Sequence, residues 1–144
     1  YPTFEEEVEI LRKAEKSKPI QHLEAVITLE ELTNLQEEVK NVYVDDSIKD
    51  YIVDLISRTR THSSVYLGAS PRGAIALMKA SQAYALIHGR DFVIPDDIQY
   101  LAPFVLPHRI ILKSEAKFEG MTAERIIQKI IERTPIPLQR SMRN

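Results

Sequence analysis

The chain contains no cysteine, no tryptophan and only four glycines among its 144 residues. Without cysteine there are no disulfides and no thiolate metal sites, which fits a reducing, cytoplasmic setting. Glycine is too sparse and too scattered to build a G-x-x-x-x-G-K-[ST] phosphate loop or a G-x-G-x-x-G dinucleotide turn. No apolar run is long enough to cross a bilayer, and no basic-then-apolar signal peptide opens the chain, so no membrane is expected as a partner. A strong charge of either sign is missing too. Nineteen Lys and Arg against 21 Asp and Glu leave a net charge of -2, which argues against nucleic acid as a partner through overall charge. His22, His62, His88 and His108 show no ligand spacing, and no strand ends in paired acids, so no metal site is expected. Asp96 and Asp97 read as helix-start acids.

What is present is apolar periodicity: 44% of the residues are hydrophobic, enough for one domain with a real core. The pattern predicts an all-α fold, a small bundle of about six helices. Thr3 with Glu6 and Thr28 with Glu31 have capping-box spacing, and they introduce the stripes Phe4, Val8, Leu11 and Leu29, Leu32, Leu35, Val39. Pro19 closes the first helix. Val42 to Val44 reads as a short extended piece. Ile48, Tyr51, Ile52, Leu55 and Ile56 then fall at i, i+3, i+4, i+7 and i+8, the clearest helical face in the chain. Pro95 starts a helix with Ile98, Leu101, Ala102 and Val105 on its buried side, which Pro103 should kink or shorten. Arg109 to Leu112 reads as extended, half of a small β-hairpin over 109–119 that Phe118 helps to complete. Thr122 caps a last helix carrying Ile126, Ile127, Ile130 and Ile131. A loose tail, 135–144, follows the domain of 1–134.

The stretch Gly68-Ala69-Ser70-Pro71-Arg72 is chemically the most informative. Ser70 suits a helix N-cap and Pro71 the first helical position, which puts Arg72 in the first turn. The helix that follows is apolar almost all round, with Lys79 its only charge before His88, and reads as buried until Gly89 stops it. A guanidinium at the positive end of a helix dipole is unfavourable unless an anion docks there. The pair makes a phosphate contact. Local physics leaves open a plain surface arginine at a helix end.

These residues resemble a family. Gly68 to Arg72, then Ala76-Leu77, Ala80, Gly89-Arg90-Asp91, Val93, Pro95 to Ile98 and Val105 to Ile110 are similar to the C-terminal lid of MoxR-type AAA+ ATPases. The likeness extends over roughly residues 1 to 133. It implies that Arg72, in the sensor-2 turn, is catalytic and contacts the γ-phosphate of ATP. It implies that Gly68, Ser70, Pro71 and Arg72 line the nucleotide, and that Tyr1 and Pro2 form the linker near the adenine. ATP and Mg2+ would be held mainly by an ATPase core upstream of Tyr1, together with the Walker motifs, sensor 1 and the arginine finger. The expected partners are that core, neighbouring subunits of a hexameric ring and proteins with a von Willebrand factor A domain. The fragment alone is then inactive, and the function is to couple hydrolysis to chaperone-like remodelling. Two other readings stay open. One is a stand-alone helical adaptor for a protein partner. The other is a DNA-binding domain that gathers Arg58, Arg60, Arg72, Arg90 and Arg109, against which the acidic total argues.

Overall fold

The computed structural model describes residues 1–16 and 24–137. The chain divides into two compact units, Tyr1–Leu35 and Gln36–Asn144. The closure at Pro19 and the tail from 138 onward lie outside the described residues.

In the first unit, α1 (Phe4–Lys16) and the start of α2 (Leu29–Val39) are both opened by capping boxes. The Thr3 amide donates to Glu6 Oε2 at 2.7 Å and the Thr28 amide to Glu31 Oε2 at 2.7 Å, with the reciprocal bonds to each threonine hydroxyl also made. Backbone donation from the threonine, then its hydroxyl, holds Glu6 and Glu31 below the ordinary carboxylate value. The expected buried face of α2 is not buried. No residue of α2 is, and Leu29, Leu32 and Leu35 are exposed, as are Phe4 and Leu11 on α1. Helical spacing identifies the apolar side of a helix; it does not supply the surface that covers it.

The second unit holds the core. It runs α3 (Asp46–Thr61), β1 (Val65–Leu67), α4 (Pro71–Ile87), α5 (Pro95–Val105), one 3-10 turn (Pro107–Arg109), β2 (Ile111–Leu112), α6 (Ser114–Phe118) and α7 (Ala123–Arg133). Asp45 caps α3 by accepting from the Ser47 amide at 2.9 Å. Ile48, Tyr51, Ile52, Leu55 and Ile56 are all buried and meet Ile126, Ile127, Ile130 and Ile131 of α7 with Ile98 and Ala102 of α5 in one cluster. Within Val42–Val44, which the sequence suggests is extended, Tyr43 forms a β-bridge while Val42 lies in a bend. Tyr43 pairs in parallel with Phe92 through Tyr43 N to Asp91 O (2.7 Å) and Val93 N to Tyr43 O (3.0 Å).

Two sequence expectations change. The chain has a two-stranded antiparallel sheet, and Ile111–Leu112 is one strand of it, but the partner is β1, with Val65 opposite Leu112 and Leu67 opposite Ile111. Residues 114–118 fold instead as the five-residue α6, and Phe118 is 92% exposed rather than paired. The second change concerns α4, which is not buried all round. Gly73, Leu77, Ser81 and Ala85, four residues apart, form its one buried line, while Ile75 and Ile87 face out. Pro103 stays inside α5, and the helix ends two residues later. No described helix is long and apolar enough to cross a membrane.

The end of α3 carries a pH-sensitive contact. His62 is its C-cap residue, and its Nδ1 accepts from the Ser64 amide at 3.2 Å. Burial first, then Lys129 and Arg133, hold the His62 imidazole below its ordinary value. The folded state therefore favours neutral His62, and the unfolded chain binds the proton more readily. Stability from this group is present above about pH 6.5 and lost as pH falls below it. Urea midpoints should fall more steeply between about pH 7 and 5 in the parent than in His62→Asn. Equal slopes would refute the assignment.

Candidate functional site

The turn between β1 and α4 is fixed from below by the last turn of α3. Gly68 lies so close to that helix that a Cβ here would stand 2.6 Å from Arg60 Cα and 2.7 Å from Arg60 N. Backbone cannot yield as a side chain can, so only glycine fits. Ala69 is fully buried. Its amide donates to Thr59 Oγ1 at 3.0 Å, and its carbonyl accepts from Arg60 Nε at 2.9 Å. Ser70 takes the N-cap position with an extended backbone, yet its hydroxyl makes no cap bond; the Gly73 amide that it could have accepted goes to the Ser70 carbonyl at 2.8 Å. Pro71 follows at the first helical position.

Arg72 then projects from the first turn of α4. It is exposed, and among the described residues it makes no ion pair or hydrogen bond. Arg109 approaches the same helix end. A Cβ at Gly73 would meet Arg109 Cδ at 3.5 Å, while Arg109 Nε donates to Val105 O at 3.1 Å. Arg109 thus packs its stem against the start of α4. Arg60, Arg72 and Arg109 all lack a carboxylate partner among the described residues. Two other arginines are engaged: Arg58 pairs with Asp54 at 3.0 Å and Arg90 with Asp97 at 2.6 Å. The five arginines therefore do not form one free basic face.

Chemically, the turn offers an exposed guanidinium on a held backbone at the positive end of a 17-residue helix, a setting that favours a phosphoryl oxygen. Two clefts of the second unit, about 470 and 290 Å3, lie against Tyr66 and Lys113 and against Tyr51 and Pro135, and neither includes Arg72. Gly68, Ser70, Pro71 and Arg72 are brought together by chain continuity, whereas Tyr1 and Pro2 belong to the first unit and are exposed ahead of α1. Thr59 is the contact to this turn that sequence reading passed over, and Arg60 was named only among the arginines of the DNA-binding reading. A signal existed: Thr59 continues the Leu55 and Ile56 register, so a hydroxyl sits where an apolar residue is due.

Residues 57–130, which include Thr59, the Gly68–Arg72 turn and Arg109, match the AAA lid domain family. The chain is 61% identical to protein YeaC of Bacillus subtilis across 98% of its own length and 44% of that protein. It is 32% identical to the chaperone MoxR1 of Mycobacterium tuberculosis across 95% of its length and 38% of that protein. A crystal structure of a candidate ATPase from Cytophaga hutchinsonii superposes with a TM-score of 0.82 at 30% identity, covering 94% of this chain and 44% of the other. The chain thus spans less than half the length of each of these relatives. With the fold and the matched residues in agreement, the chain belongs to the AAA lid domain family, in the form carried by MoxR-type AAA+ proteins.

Proposed function

We propose that this chain is the lid of a MoxR-type AAA+ ATPase, closing over ATP bound by a core elsewhere in the same subunit, with Arg72 as the sensor-2 contact to the γ-phosphate. The carrying observation is Arg72 itself: exposed, without a carboxylate partner among the described residues, and standing on a turn anchored to a buried core. ATP with Mg2+ supplies the phosphoryl group to be transferred, and both are held mainly by the core. The residues of this chain fit one edge of that ligand. Arg72 offers a planar fork for oxygens whose charge grows during transfer, and a preformed backbone means little reorganisation at that moment. Loss of the γ-phosphate removes the contact, so the lid is released and hydrolysis becomes movement. Gly68, Ser70 and Pro71 shape the approach, and Tyr1-Pro2 serves as the linker beside the adenine. Kinship with a protein named as a chaperone supports remodelling of client proteins as the output. By the same kinship the assembly is a hexameric ring in the cytoplasm, with von Willebrand factor A domain proteins as partners.

The stand-alone adaptor reading draws on the exposed Phe4, Leu11, Leu29 and Leu35. Activity separates the two. The isolated chain should release no phosphate from ATP, while the same domain joined to its core should turn ATP over. Equal activity of the joined protein with and without this domain would remove the lid reading and leave the adaptor.

A further inference from the structure

We infer that Thr59 is a positioning residue for Arg72, acting with Arg60 to couple the C-terminal end of α3 to the arginine; this rests on the sensor reading of Arg72. The Thr59 hydroxyl is engaged both as donor and as acceptor. It donates to Ile56 O at 2.6 Å and accepts from the Ala69 amide at 3.0 Å, and the residue has no solvent exposure. Both main-chain polar groups of Ala69 are therefore satisfied by consecutive residues of α3, through Thr59 Oγ1 and Arg60 Nε. Gly68 lies so close to the Arg60 backbone that no side chain fits between them.

Between this clamp and Arg72 there is no free hinge. Pro71 has a fixed φ, and the Ser70 carbonyl is held by the Gly73 amide at 2.8 Å. The Ser70 hydroxyl, the usual device for fixing a helix start, makes no cap bond here. The Thr59 hydroxyl instead accepts from the Ala69 amide, one residue before the cap, so the segment leading into α4 is tied to α3. A guanidinium at the end of a long side chain contributes to a transition state only if its backbone origin is fixed closely. Thr59 supplies that origin without touching the phosphate.

The test uses the intact ATPase, comparing Thr59→Val, Thr59→Ser, Arg60→Ala and Arg72→Ala, alone and combined, by kcat, KM for ATP and thermal midpoint. Thr59→Val should lower kcat about tenfold with KM for ATP moved less than about threefold, the pattern of a misplaced rather than missing group. Thr59→Ser keeps the hydroxyl and should recover kcat to within about twofold of the parent. Arg60→Ala removes an exposed side chain, so the fold survives if Thr59→Val does not, and it should lower kcat about fivefold. In the Arg72→Ala background, Thr59→Val and Arg60→Ala should cost nothing further. If Arg72→Ala is slow while Thr59→Val and Arg60→Ala turn over normally, the positioning role is wrong and the sensor stands. Losses of equal size with and without Arg72 also overturn it, because they show a general effect on the domain. Parent-like turnover in Arg72→Ala overturns the sensor reading instead.

Discussion

Arg72→Ala in the intact ATPase should reduce ATP turnover by roughly 10²-fold or more, the range seen when a preorganised charge-stabilising donor is lost. That loss corresponds to about 2.7 kcal/mol of transition-state stabilisation. It should fall mainly on kcat, because charge on the transferring oxygens is greatest at the transition state and one arginine at the edge of the nucleotide contributes less to ground-state binding. Arg72→Lys retains the charge but lacks the planar fork, so it should recover only part of the rate. The domain should remain folded in both variants, since Arg72 is exposed and outside the core. Steady-state phosphate release across ATP concentrations, with a thermal midpoint as control, gives the answer. Turnover at the parental rate would sink the sensor assignment.

The second large effect concerns stability. Asp97 is 3% exposed at its side chain and accepts three hydrogen bonds: from Arg90 Nη1 at 2.8 Å, from Arg90 Nη2 at 2.6 Å and from the Ile94 amide at 2.9 Å. One carboxylate thus caps α5 and ties its start to the loop after α4, where Arg90 also donates to Phe92 O at 3.0 Å. Asp97→Ala strands a guanidinium that is only 23% exposed and leaves the cap amide unmet. The expected loss is about 3 kcal/mol, the lower end for breaking a buried pair because Arg90 still reaches some water. In a domain of this size that lowers the thermal midpoint by about 10–20 °C. A midpoint within about 2 °C of the parent would show that the pair contributes nothing beyond an ordinary surface contact.

Legibility of the fold varied with how local the cause was. The caps at Thr3, Thr28 and Thr122 are formed by residues three positions apart, so the pattern alone identifies them. The buried faces of α3 and α7 were equally plain, because apolar residues on one side and polar ones on the other leave a single way to pack. On α4 that contrast is absent. A helix apolar on every side carries no information about which side meets the core, and only tertiary packing selects the line Gly73, Leu77, Ser81, Ala85. For α2 the stripe was legible and its exposure was not, since covering it depends on a surface outside the helix.

The site divides in the same way. Sequence by itself determined the order of residues 68–72, the helix start at Pro71 and therefore the place of Arg72 in the first turn, because proline geometry and capping preference act over a few bonds. It also shows that these 144 residues contain no G-x-x-x-x-G-K-[ST] loop. Only the tertiary structure decided what holds the turn. The Thr59 hydroxyl reaches Ala69 from ten residues away, Arg109 reaches Gly73 across the helix end, and Leu112 pairs with Val65. Contacts of this kind are selected by the packing of whole helices, which brings together groups that no local spacing marks as neighbours.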